Sequence, residues 1–177
     1  YRARDLANTV WSLAKLKAAN SKLIGDIVER ARPILSDCLP QELSNFVWSV
    51  ATLAYYDEAL MEQAAREALS KLSQFSNQHV ANSTWAFATL SHRDLKLIEA
   101  LANEAFKRAL GIEPQGLTNL VWSYATILYR DPNLLDALAQ RALQVVSDYV
   151  PQDVGNTAWA FAKLASSQPQ LFEALAE

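Results

Sequence analysis

The five tryptophans of this chain stand at Trp11, Trp48, Trp85, Trp122 and Trp159, so every gap between neighbours is 37 residues. Asparagine keeps the same interval at Asn8, Asn45, Asn82, Asn119 and Asn156, and alanine at Ala14, Ala51, Ala88, Ala125 and Ala162. No insertion or deletion breaks the register. A repeat of this length marks an array in which one unit cannot bury its apolar face without its neighbours. The expected organisation is one all-α solenoid of about four and a half units over 1–177: approximately 4–40, 41–77, 78–114, 115–151 and a partial 152–177. The chain is expected to be a segment of a longer array.

Within the second unit, LSNFVWSVATL places Leu43, Phe46, Val47, Val50, Ala51 and Leu53 on one arc at 100° per residue, with Trp48 at its seam. Gln41, Glu42, Asn45, Ser49 and Thr52 fall on the opposite arc, which defines the first helix of a unit. A second helix carries Leu60, Met61, Ala64, Ala65, Ala68 and Leu72. Asp57, Asp94 and Asp131 stand one residue before it, where a carboxylate accepts the orphan backbone N–H groups, and Pro132 and Pro169 take the first helical position. The spacing therefore predicts helix-turn-helix throughout.

Composition narrows the function. Four glycines leave no phosphate-cradling loop, and His79 and His92 have no cysteine or carboxylate at metal-ligand spacing. No serine, histidine and acid converge by spacing, so no catalytic residue, metal or cofactor is expected, nor a small-molecule substrate. The longest apolar runs fall well short of the ~20 residues a membrane span requires, so no membrane insertion is expected. The single cysteine, Cys38, reads as a small buried hydrophobe.

A surface repeated along the array is then the place to look for a ligand. The tryptophans have the chemistry of base-stacking platforms but are better explained as packing between successive first helices. Asparagine is a mediocre helix former, so the five at this interval need a purpose. Either each amide bonds the adjacent unit or the row meets a ligand. Discrimination between ligand subunits would come from positions that change: Asp5, Glu42, His79, Gly116 and Asp153; Thr9, Phe46, Ser83, Leu120 and Thr157; and Ser12, Ser49, Ala86, Ser123 and Ala160. Surface drift gives the same variation. At the turn between helices, Tyr55, Tyr56, His92, Arg93, Tyr129 and Arg130 either stack on bases and hold phosphates or close the end of each unit.

The pattern Leu-x-Asn-x-x-Trp-x-x-Ala-x-Leu, clearest in NSTWAFATL at 82–90 and NTAWAFAKL at 156–164, resembles the heptatricopeptide and octotricopeptide class of helical repeats over essentially the whole chain. That resemblance implies an α-solenoid that binds single-stranded RNA in mitochondria or chloroplasts and helps transcripts mature, persist, be translated or assemble into ribonucleoproteins. It also implies a recognition surface on the first helices. At about one nucleotide per unit the array would span about four or five nucleotides. The net charge of −3 and an isoelectric point near 5.4 depart from the basic stripe that phosphate binding favours. The alternative is a scaffold solenoid that holds a protein partner within a large assembly.

Overall fold

The computed structural model describes residues 2–176 and is all-helical. Its ten helices form five pairs: α1 Ala3–Lys15 with α2 Ser21–Ala31, α3 Pro40–Thr52 with α4 Glu58–Lys71, α5 Asn77–Thr89 with α6 Leu95–Arg108, α7 Pro114–Ile127 with α8 Pro132–Val145, and α9 Pro151–Lys163 with α10 Pro169–Ala174. The second helices α2, α4, α6 and α8 each run on into a short 3₁₀ turn before the next pair begins.

The helix ends follow local chemistry. Carboxylates of Asp57, Asp94 and Asp131 accept the backbone N–H groups of Leu60, Leu97 and Leu134 at 2.7, 3.0 and 3.1 Å, as their positions predict, and Asn20 does the same for α2 at 3.0 Å. The first helices stop on a residue with positive φ: Lys17, Ala54, Ser91, Leu128 and Ala165, at 53, 52, 55, 57 and 51°. At each, the following N–H donates back to the carbonyl five residues earlier, as Tyr55 does to Val50 and His92 to Phe87. This is a Schellman closure built without glycine. A left-handed residue other than glycine costs ~1–2 kcal/mol, and the turn is kept in all five units.

Packing produces the solenoid. First helices lie against one another in the order α1, α3, α5, α7, α9, and this row is packed more closely than the row of second helices. The tighter row of a stack lies inside its bend, so the first helices line the concave face. Ala14, Ala51, Ala88 and Ala125 are buried towards the next first helix, whereas the equivalent Ala162 on α9 is exposed. The core is continuous along the array, with Leu60, Met61, Ala64, Ala65 and Ala68 of α4 buried in it. Cys38 is buried, and desolvation pushes its thiol up to about 11.

Tyr124 is the largest fully buried side chain, and its hydroxyl lies beside Thr84 without a hydrogen bond of good geometry, the Thr84 hydroxyl being donated to the Val80 carbonyl. The equivalent residues one unit before and after are Phe87 and Phe161. Tyr124→Phe is expected to raise stability by ~1–2 kcal/mol, because an unpaired buried hydroxyl carries a desolvation penalty of that order. A lower urea midpoint for the variant would show that the hydroxyl is satisfied.

Candidate nucleic-acid interface

A helix brings residues i, i+4, i+7 and i+11 onto one stripe. On the first helices that stripe is Gln, Asn, Trp and Thr or Lys: Gln41, Asn45, Trp48 and Thr52 on α3, Gln78, Asn82, Trp85 and Thr89 on α5, and Gln115, Asn119, Trp122 and Thr126 on α7. The indoles form a ladder. Ring centroids are 6.3 Å apart from Trp48 to Trp85 and 6.5 Å at both later steps, with interplanar angles of 36, 34 and 28°. Such spacings lie within the range of attractive aromatic pairs. The indoles from Trp48 to Trp159 therefore pack between first helices, as their seam position predicts.

Beside this ladder runs a groove of about 420 Å³, with Asn45, Asn82, Asn119, Gln78 and Gln115 among its walls. Glutamine repeats at the same 37-residue interval at Gln41, Gln78, Gln115 and Gln152, and the sequence reading singled out Gln41 alone, as part of a polar arc. Asn8 is exposed, and Asn45, Asn82, Asn119 and Asn156 are half-buried. Among the described residues none of these five amides makes a hydrogen bond, so an inter-unit amide ladder is not formed. The indoles one turn on occupy the space between helices and hold the short asparagine side chains apart. The backbone carbonyls of Asn8, Asn45 and Asn119 instead accept the hydroxyls of Ser12, Ser49 and Ser123 at 2.8, 2.6 and 2.5 Å.

Those serines correct one of the variable series. Ser49, Ala86, Ser123 and Ala160 are fully buried against the preceding first helix, and Ser12, on α1, is exposed. A residue there must be small because two helix backbones approach at that point. The second series fails as a reading surface for the same reason: Phe46, Ser83, Leu120 and Thr157 are buried, and Thr9 alone is exposed.

The first series has a capping duty. Asp5 accepts the N–H of Arg2 at 3.2 Å, Glu42 that of Leu39 at 2.9 Å, His79 Nδ1 that of Ser76 at 3.2 Å, and Asp153 that of Val150 at 3.2 Å. These are the third residues of their helices reaching back to close the first turn. Gly116 has no side chain to do so, and it lies in the groove wall with Ile112 and Ala81 close against it. The turn cluster divides by chemistry: Tyr56 and His92 meet across successive units at 6.3 Å, and Tyr124 packs on Tyr129 at 5.6 Å, closing the ends of units. Arg93 and Arg130 are exposed beside them, outside the amide groove.

His79 gives this face a pH dependence. Burial holds its pKa below the ordinary 6.5, so its Nδ1 is free to accept at neutral pH. With the folded value the lower one, the stability it contributes is present above about pH 6.5 and is lost as pH falls through the folded value. The urea midpoint is expected to fall between about pH 7.5 and about pH 5. His79→Gln, whose amide oxygen accepts the same N–H at either pH, should lose part of that fall. Identical falls in both chains would remove the role.

Charge is sparse along the groove, with Lys15 at one end and Glu113 in its wall. Among the described residues no three His, Cys, Asp or Glu side chains gather where a metal could sit, and no helix is long and apolar enough to cross a membrane. What the concave face offers is a sequence of neutral donors and acceptors at Asn45, Gln78, Asn82, Gln115 and Asn119, with the Trp11 and Trp48 rings in the same groove.

A face of that kind, on a solenoid with this register, is where a comparison of families becomes informative. Residues 1–132 match the RNA-editing substrate-binding complex 6 protein family. The chain belongs to this family. The matched part of this RNA-editing substrate-binding complex 6 family member runs from α1 to the first residue of α8. It includes Lys15, Asn45, Asn82 and Asn119, whereas Asn156, Trp159 and Lys163 lie beyond it. No curated protein shows significant sequence similarity to the chain.

Proposed function

We propose that this chain is a non-catalytic, RNA-handling subunit of an RNA-editing substrate-binding assembly in mitochondria, and that its concave first-helix face holds single-stranded RNA. The family name supports the assembly and the RNA, and RNA editing favours the mitochondrion over the chloroplast. The single observation that carries the reading of the face is the row of amides at Asn45, Asn82 and Asn119, which line the groove without a hydrogen-bond partner. Unpaired amides in a folded protein are available to a ligand, and both their donors and their acceptors match base edges and sugar hydroxyls. Identical residues in every unit position a strand without choosing its sequence.

Fluorescence anisotropy of a labelled single-stranded RNA tests this. Binding is expected at low salt, with log K falling by about 0.7 per phosphate neutralised for each decade of salt. With so few cations on the face the total slope should be shallow. A chain that remains helical by circular dichroism yet binds no RNA even at low salt would end this reading.

One observation favours a second, compatible role as a protein scaffold. Phe106 near the end of α6 and Leu110 in the 3₁₀ turn after it are 49% and 69% exposed and line one cleft with Asn77 and Gln140. Exposed apolar side chains grouped in this way suit a protein neighbour in a large assembly.

A further inference from the structure

The spaces between successive indoles are not alike. Three are closed by direct ring contact, from Trp48 through Trp159. Trp11 and Trp48 are bridged instead by the Lys15 ammonium, 5.3 Å from one ring centroid and 5.1 Å from the other. The cause is in the sequence: the position four residues after the tryptophan is Lys15 in the first unit and Thr52, Thr89 and Thr126 in the next three. Threonine is too short to enter the gap, so those rings close on one another. At Lys163 the lysine returns, 4.5 Å from the Trp159 ring.

Building on the RNA reading of the concave face, we infer that the Trp11–Trp48 gap is a slot for one unstacked nucleobase, held open by Lys15 acting as an internal place-holder. The base enters between the two indoles, and the displaced ammonium moves to a neighbouring phosphate.

Relative magnitudes support this exchange. Lys15 is exposed and has no carboxylate or hydrogen-bond partner among the described residues, so only its two ring contacts retain it. An exposed ammonium–indole contact is worth about two- to fivefold in an equilibrium constant. A base stacked on an aromatic ring is worth about five- to 150-fold. The incoming base replaces the weaker contact with the stronger, and the freed lysine adds a phosphate contact that it lacked. Trp11, Lys15 and Trp48 all line the groove, so the slot opens onto it, and Asn45 lines the same groove beside them, ready to meet a base edge.

A cationic side chain from a protein partner is the competing occupant. It would exchange one ammonium–indole contact for another of equal strength while releasing Lys15 into an environment with no anion, so nothing drives its entry. A polyanionic strand with aromatic bases supplies both missing terms.

The test uses the 177-residue chain and a set of five-nucleotide single-stranded RNAs, each with 2-aminopurine at one position. One position is expected to be strongly quenched on binding. Trp11→Ala, which removes one wall of the slot, should abolish that quench and weaken binding about tenfold, within the range for one lost stack. Lys15→Met should preserve the quench and reduce the salt slope by about 0.7, the contribution of one phosphate. RNA binding with a quench unaffected by Trp11→Ala, or a slope unaffected by Lys15→Met, overturns the slot while leaving the RNA reading intact. Absence of RNA binding sinks both. If a lysine-rich peptide, and not RNA, perturbs the tryptophan emission through Trp11, the slot belongs to a polypeptide and the inference is overturned.

Discussion

Trp85→Ala is expected to lower the stability of the whole array by about 3–5 kcal/mol, the range for truncating a large packed aromatic residue. Trp85 lies between Trp48 and Trp122, at 6.3 and 6.5 Å, so its removal breaks two ring pairs and leaves a gap shared by three first helices. Each ring pair contributes ~0.5–1.5 kcal/mol beyond the area it buries. Because units in a solenoid are stabilised chiefly through their interfaces, the loss spreads to α3 and α7 as well as α5. Against a typical total of ~5–15 kcal/mol this is a large fraction. Trp159→Ala is the internal control: it has one ring neighbour and is 43% exposed, so about half the effect is expected. Urea denaturation measures both, and amide hydrogen exchange should show protection falling in the units on either side of Trp85. Equal losses at Trp85 and Trp159 would contradict the ladder as a source of cooperativity.

Much of this architecture is legible in the chain. The 37-residue interval, the Asp57, Asp94 and Asp131 caps and the prolines at helix starts each name a local event with one structural outcome, so solenoid and hairpin can be read directly. The candidate site was less legible, for a geometric reason. A surface helix has one buried face, and a helical wheel divides it into two arcs. A first helix of a solenoid touches a sibling on each side and its own second helix behind, so three contacts leave only a narrow stripe free. Ser49, Ser83 and Ser123 are polar, yet they face the preceding sibling, where small volume matters more than polarity. Composition cannot distinguish a small residue selected for solvent from one selected for close approach. The same limit hid the capping duty of Asp5, Glu42, His79 and Asp153, whose variation tracks what can accept an N–H rather than what could read a base. Gln41 is placed on the polar arc by its spacing, but its equivalents Gln78, Gln115 and Gln152 attract no notice in the sequence, since glutamine is an ordinary helix former that needs no explanation until its neighbours on the stripe are known.

The amides supply the prediction that best separates binding from architecture. Asn45, Asn82 and Asn119 line the groove without a side-chain hydrogen bond, and Ser49 and Ser123 bond the backbone carbonyls of Asn45 and Asn119 rather than their side chains. In the triple variant Asn45→Ala, Asn82→Ala, Asn119→Ala, no side-chain hydrogen bond within the fold is lost. Alanine is the better helix former by ~0.5 kcal/mol at each site, so stability is expected to rise by ~1–2 kcal/mol. RNA affinity should move the other way. Three hydrogen bonds to a bound strand at ~1 kcal/mol each amount to about a hundredfold loss in Kd. Urea unfolding and anisotropy on the same preparation read both quantities, and their opposite signs are the diagnostic outcome, because a structural amide row would lower both together. A loss of stability in the triple variant would return these asparagines to the fold. Unchanged affinity in a more stable chain would move the strand off the first-helix stripe altogether.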